Sequence, residues 1–121
     1  MAKILKCDDC ASIIQVLATG DEKVCSDHMF EFPEQTEGEK SPKHKPVVEI
    51  DGDKVTVKVG EAAHPMDEDH YIQFVIVEAG NEQYAKCFNP GDVAEATFTV
   101  NDAADVKALA FCNLHGLWSS E

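Results

Sequence analysis

From residue 47 onward the chain alternates apolar and polar side chains with the period of two that belongs to β-strands. Val47-Val48-Glu49-Ile50, the turn Asp51-Gly52-Asp53 and the run Lys54–Val59 predict a hairpin with distinct faces. Tyr71–Val77 is a continuous apolar run broken only by Gln73, the pattern of a central strand. Tyr84–Phe88, Ala94–Val100 and Val106–Cys112 predict further strands, separated by turns at Gly80-Asn81 and Asn89-Pro90-Gly91-Asp92. Ala108 and Ala110 would also suit a helix, but Phe111-Cys112 favours a strand. Six or so short strands at regular spacing point to an antiparallel sandwich, and the sequence holds no internal repeat. Cys87, beside Phe88 in one of these strands, is expected in the core.

The first 32 residues read differently. Ile13–Leu17 and Met29–Phe32 are short β-like pieces flanking the turn-like Thr19-Gly20-Asp21, with Cys7 and Cys10 before it and Cys25 after. Thirty-odd residues bury too little apolar surface to fold alone, so a unit of this size calls for a metal or a partner. Residues 33–46 contain three prolines, one glycine and no apolar periodicity, the signature of a linker or a long functional loop.

Charge narrows the function classes. Ten basic residues, all lysine, stand against 23 acidic ones, for a formal charge of −13. A chain this acidic is unsuited to nucleic acid, whose binding requires phosphate neutralisation, and an anionic membrane surface would repel it. No apolar run approaches the roughly 20 residues that span a bilayer, and the N-terminus lacks the apolar stretch of a signal peptide. The expectation is a cytoplasmic protein. Five cysteines in a reducing compartment then argue for metal ligation or catalysis over a disulfide framework.

The candidate chemistry lies in the second unit. His44, His64, His70 and His115 fall outside the expected strands, and Cys112 closes the last of them. A sandwich gathers the loops at one end, so these five can converge on one metal from distant positions. Any one of them taken alone has a blander reading, a solvated histidine or a core cysteine. Imidazole with thiolate suits iron, copper or zinc and disfavours magnesium or calcium. Four nitrogens and a sulfur exceed tetrahedral zinc, and a square of imidazoles with an axial thiolate leaves a sixth position open for small-molecule chemistry at iron.

The segments His44-Lys45-Pro46-Val47-Val48-Glu49, His64-Pro65-Met66-x3-His70-Tyr71-Ile72 and Cys112-Asn113-Leu114-His115-Gly116-Leu117-Trp118 together resemble the superoxide reductases. The first unit resembles the desulforedoxin-like domain of their two-domain form. The resemblance implies a mainly β protein with a small metal-ribbon domain at residues 1–32, a linker and active-site loop at 33–43, and an immunoglobulin-like antiparallel sandwich at 44–121. It implies one non-haem iron held by His44, His64, His70 and His115 around it and by Cys112 as axial ligand. The implied activity is one-electron reduction of superoxide to hydrogen peroxide, with electrons from a rubredoxin-like donor. A homo-oligomer, a dimer, is the expected assembly.

Two departures from the family pattern matter. Members commonly carry Glu-Lys immediately before the first histidine; here Pro42-Lys43 stand there, so the lysine is kept as a candidate catalytic residue and the glutamate is not. Glu39 lies a few residues upstream. In the first unit the adjacent Cys-Cys pair of the family is Cys25-Ser26, leaving Cys7, Cys10, Cys25 and His28 as a candidate Cys3His site for zinc or iron, the alternative being a decayed centre whose cysteines persist as small apolar side chains without metal. Lys40, Lys43 and Lys45 cluster around His44, and residues 40–48 contain no acid, a local positive patch that can focus an anion against the global field. For Lys40 the plainer reading is a solvated loop lysine. Two rivals remain at this point: a cupredoxin-like electron carrier, which wants a methionine after its last histidine where Gly116-Leu117-Trp118 stand, and a metal-storage or zinc-structured module without turnover.

Overall fold

The computed structural model describes residues 3–18 and 29–121, which divide into two compact units, Met1–Pro33 and Glu34–Glu121. In the first, β1 (Lys3–Cys7), β2 (Ile13–Val16) and β3 (Met29–Glu31) form an antiparallel sheet in the order β2-β1-β3. Its central strand, β1, was not expected from the sequence. Ile14, Leu17 and Phe30 remain exposed, in keeping with so small a unit. The expected turn at Thr19-Gly20-Asp21 lies outside the described residues, as do Cys25, Ser26 and His28.

The second unit contains the short helix α1 (Ser41–His44) and seven strands: β4 (Pro46–Asp51), β5 (Lys54–Val59), β6 (Ile72–Ala79), β7 (Glu82–Cys87), β8 (Glu95–Thr99), β9 (Val106–Cys112) and β10 (Gly116–Ser119). They build a four-stranded sheet, β10-β9-β6-β7, and a three-stranded sheet, β4-β5-β8, all antiparallel. One apolar cluster joins the two sheets. Val55, Val57 and Val59 come from β5, Val75, Val77 and Ala79 from β6, and Ala108, Ala110 and Cys112 from β9. Each set is spaced by two, so the pleat alone turns it to one face. This is the expected β-sandwich, and all three strands that supply these sets lie close to their expected positions.

Four local features differ from expectation. The proline-containing stretch before His44 is not loop throughout: Ser41–His44 make one helical turn, for which a proline in the first turn is well suited. Gln35 forms an isolated parallel bridge with Trp118, so the chain joins the edge of β10 before it reaches α1. The strand β10 itself is a short addition after the last expected strand. Cys87 is exposed, correcting its assignment to the core. β7 is an edge strand, and the neighbouring Phe88, 5% exposed, occupies the inward position.

Candidate metal centre

Among the described residues, His44, His64, His70, Cys112 and His115 offer one ligand atom each, all within 4.8 Å of one another. They come from three separate stretches of chain, each fixed by local hydrogen bonding. His44 ends α1, and Lys45 N–H donates to the Ser41 carbonyl at 2.9 Å to close that turn. The following turn docks against it: Ala62 N–H donates to the Pro42 carbonyl at 2.9 Å and Gly60 N–H to the Lys45 carbonyl at 3.3 Å. Gly60 has φ +85°, and a Cβ there would lie 2.7 Å from the carbonyl carbon and oxygen of Lys43. Glycine at this position therefore lets the turn that leads to His64 lie directly on the helix that carries His44.

His70 is returned to the cluster by a tight turn in which Asp67 and His70 exchange backbone hydrogen bonds at 3.0 and 3.2 Å. Asn113 locks this turn to the last one. Its side-chain oxygen accepts from Tyr71 N–H, and its amide donates to the Asp69 carbonyl, both at 3.0 Å. Cys112 lies opposite Ile72 at the end of β9, beside a bulge in β6 that shifts the register between Ile72 and Phe74. His115 follows three residues later, so one turn presents thiol and imidazole together, with Cys112 Sγ 3.8 Å from His115 Nδ1.

The four imidazoles form a closed ring of neighbours. Centroid separations run 4.4 Å for His44–His64, 4.8 Å for His64–His70, 5.0 Å for His70–His115 and 4.9 Å for His115–His44, with planes crossed at 77–88°. Across the ring His44 and His70 are 6.4 Å apart and inclined by only 28°. Each ring thus stands edge-on to the next around a common centre. Trp118 lies against the outer side of His44 at 5.3 Å between centroids.

Hydrogen bonds settle which nitrogens face that centre. His44 Nδ1–H donates to the Lys40 carbonyl at 2.8 Å and His64 Nδ1–H to the Pro65 carbonyl at 2.6 Å, since a carbonyl can only accept. In the neutral rings the Nε2 atoms then carry lone pairs, yet they lie 2.9 Å apart, and His44 Nε2 is 3.1 Å from His115 Nδ1. Lone pairs at this range repel, and a metal cation placed between them would turn the repulsion into attraction. His70 Nε2 is buried with no hydrogen-bond partner. Three Nε2 atoms, one Nδ1 and a sulfur fit a borderline transition metal such as iron.

The electrostatics of His44, His64 and His115 keep these imidazoles neutral, the form a metal needs. Burial is the first cause that pushes His64 down from 6.5 to about 4, and the same cause lowers His44 and His115. Lys40 adds positive charge that lowers both His44 and His115. Burial raises the Cys112 thiol, while N–H groups of Leu114 and His115 hydrogen-bond to its sulfur and oppose the rise. Cys112 is wholly buried. A cleft of about 460 Å³ is lined by His44, His70 and His115 together with Glu39, Lys40, Pro42, Lys43, Ala62 and Pro65, and Cys112 does not border it. The site is therefore asymmetric, with the sulfur buried and three of the imidazoles bordering a cleft that carries two lysines.

A model of the desulfoferrodoxin family matches residues 36–121. The desulfoferrodoxin homologue of Methanothermobacter thermautotrophicus is 43% identical over 118 residues, 96% of this chain and 95% of that one. The chain belongs to the desulfoferrodoxin family. The superoxide reductase of Pyrococcus horikoshii is 35% identical over 101 residues, 68% of this chain and 87% of its own. The crystal structure of the superoxide reductase from Treponema pallidum superposes with a TM-score of 0.80 at 29% identity, covering 100% of this chain and 98% of that one.

Sequence reasoning named all five residues of the desulfoferrodoxin-type cluster that the structure brings together. Of the three lysines grouped with His44, Lys40 and Lys43 border the cleft, whereas Lys45 lines a separate cavity with Ser41, Pro42 and Glu61. Lys40 is exposed, in keeping with a solvated loop lysine, and its backbone carbonyl holds His44. The positioning parts played by Asn113 and Gly60 were not foreseen. Asn113 was visible only as a member of a motif, and the Gly60 contact depends on a tertiary approach. In the first unit a turn closed by Cys7 N–H to the Ser12 carbonyl carries Cys7 and Cys10, with Ala11 at φ +59°. Cys10 Sγ is 3.2 Å from Ser12 Oγ, and hydrogen bonds from Ser12 hold its thiol below the ordinary value.

Two outcomes follow from this packing. Gly60→Ala should push α1 away from the His64 turn, destabilising the protein by about 1–3 kcal/mol and weakening metal retention at least tenfold in chelator competition. Parent-like retention would contradict the contact. In the metal-free protein the unfolded chain takes up protons that folded His64 refuses, so stability should fall as pH drops from 6.5 towards about 4. His64 alone supplies a slope of up to about 1.4 kcal/mol per pH unit. Thermal melts of the metal-free protein at pH 6.5, 5.75 and 5 measure it, and a flat midpoint would contradict the assignment.

Proposed function

We propose that the protein is a superoxide reductase whose His44, His64, His70, His115 and Cys112 hold one non-haem iron. The reaction is O2•− + e− + 2H+ → H2O2, with the electron delivered by a rubredoxin-like donor. The observation that carries this reading is the ring of four crossed imidazoles gathered with a buried thiol and bordering a cleft. Iron bound there would supply the one-electron reducing power. A cupredoxin-like site would use fewer imidazoles, and the sulfur of Met66 accepts the Ile72 N–H at 3.4 Å.

The chain's own residues account for the remaining requirements. Superoxide is an anion meeting a protein of charge −13, and the cleft offers it Lys43 and Lys40. Lys43 is exposed at the mouth, where its ammonium can attract the anion and orient a water as proton donor. Cys112, as thiolate, would donate electron density to a bound iron, and its two N–H hydrogen bonds would moderate that donation. His44 and His64 are kept in one tautomer by the Lys40 and Pro65 carbonyls. Pro42 stands where the family's glutamate would be, and Glu39 brings a carboxylate to the same cleft.

The first unit adds a second reading of its own. Cys7 and Cys10 share one turn, and the spacing of Cys25 and His28 in the sequence would complete a Cys3His set suited to zinc or iron. Substitution of serine for the fourth thiolate at position 26 disfavours a tetrathiolate iron centre. A homodimer is the proposed assembly and the cytoplasm the proposed location; among the described residues no helix is long and apolar enough to cross a membrane.

Pulse radiolysis of the reduced, iron-loaded protein tests the activity: one peroxide formed per superoxide consumed, without dioxygen, supports it, and dioxygen release or no reaction contradicts it. Cys112→Ser should abolish the thiolate-to-iron charge-transfer absorption and most of the activity, and an unchanged visible spectrum would eliminate Cys112 as a ligand. Lys43→Ala should slow the second-order reaction about tenfold, ~1.4 kcal/mol, with the iron spectrum nearly intact and a weaker dependence on ionic strength. A variant as fast as the parent at low salt would make Lys43 an ordinary surface lysine.

A further inference from the structure

His44 and His64 are braced through Nδ1, but His115 turns Nδ1 towards the cluster and cannot be braced through that atom. Its bracing falls on its backbone carbonyl, which receives two side-chain donors: Gln35 Nε2 at 2.8 Å and Trp118 Nε1 at 3.2 Å. We propose that Gln35, eighty residues away in sequence, is a positioning residue for the metal centre, fixing through this carbonyl the turn that presents Cys112 and His115. The proposal rests on the reading of these five residues as one iron site.

Three observations support it. First, the Gln35 backbone is already held to β10, donating to the Leu117 carbonyl at 3.0 Å and accepting from Ser119 N–H at 2.8 Å. Its neighbour Glu34 pairs with Lys107 on β9. The segment is therefore held by backbone bonds apart from the Gln35 side chain, whose amide makes its shorter bond to the turn and a longer one, 3.4 Å, to the Leu117 carbonyl. Second, Nδ1 is one bond closer to the backbone than Nε2, so a shift of the His115 main chain passes to its ligand atom with little slack. Third, the same turn supplies the N–H groups of Leu114 and His115 that bond to Cys112 Sγ. Loosening the carbonyl would disturb an imidazole and the sulfur's hydrogen bonds at once.

Gln35→Met keeps the length and removes the donor; Gln35→Asn keeps the amide and withdraws it by one methylene. Both are made in the full chain and loaded with ferrous iron. The measurements are the position and width of the charge-transfer band after oxidation, the rate of iron transfer to a bipyridyl chelator, and the thermal midpoint. Gln35→Met should shift and broaden the band and release iron about tenfold faster, with Gln35→Asn intermediate. A purely structural glutamine would lower the midpoint and leave band and release unchanged; that result overturns the proposal whatever the change in stability. A parent that shows no charge-transfer band when loaded with iron overturns the reading of the site, and the proposal with it.

Discussion

Five donor atoms gathered within 4.8 Å, four of them imidazole nitrogens with lone pairs facing inward, make a cluster that its own electrostatics would scatter. Much of the second unit's local structure serves to hold it together. Each donor is tied down by atoms that do not touch the centre: the Lys40 and Pro65 carbonyls for two histidines, the Asp67–His70 turn for the third, and the Cys112–His115 turn with its Asn113 bridges for the rest. The sandwich core supplies the rigid base from which these turns project. A metal then completes the arrangement by giving the inward lone pairs, and the orphaned His70 Nε2, a partner.

The same arrangement sets a direction. Cys112 is wholly buried at the end of β9 as part of the apolar core, while three of the imidazoles border a cleft. Low-dielectric surroundings strengthen the thiolate's influence on the metal, while the cleft remains in contact with water and with Lys40 and Lys43. A strongly acidic protein can therefore present a locally cationic mouth to an anionic substrate. Lys40 has two connections to the centre, since its carbonyl orients His44 and its charge is felt by His44 and His115.

Much of this was legible in the sequence because the chemistry needs particular residue types and the sandwich needs a period of two. The alternation in 54–59 and the apolar run in 71–77 identified the strands that supply the core, and the five donors announced themselves by type and by their place at strand ends. What escaped was tertiary. Ser41–His44 is a single turn, too short for helical periodicity, and β10 is four residues buried largely on both faces, with no alternation to read. Cys87 reads as inward because it stands beside Phe88 in an expected strand, but the edge position of β7 and the inward turn of Phe88 decide otherwise. Lys45 and Lys43 are two residues apart and look alike in sequence; the end of α1 between them sends one to the cleft and the other to a different cavity. The bridge between Gln35 and Trp118 joins positions that no local pattern connects.

The central claim is that these four imidazoles and one thiolate bind a single metal ion together. Iron K-edge X-ray absorption on the anaerobically loaded, reduced protein tests it most directly. The account predicts one iron per chain in the second unit with a coordination shell of four nitrogens and one sulfur, the sulfur scattering lost in Cys112→Ser. A shell without sulfur in the parent protein, or one with several sulfurs and no imidazole scattering, would contradict it.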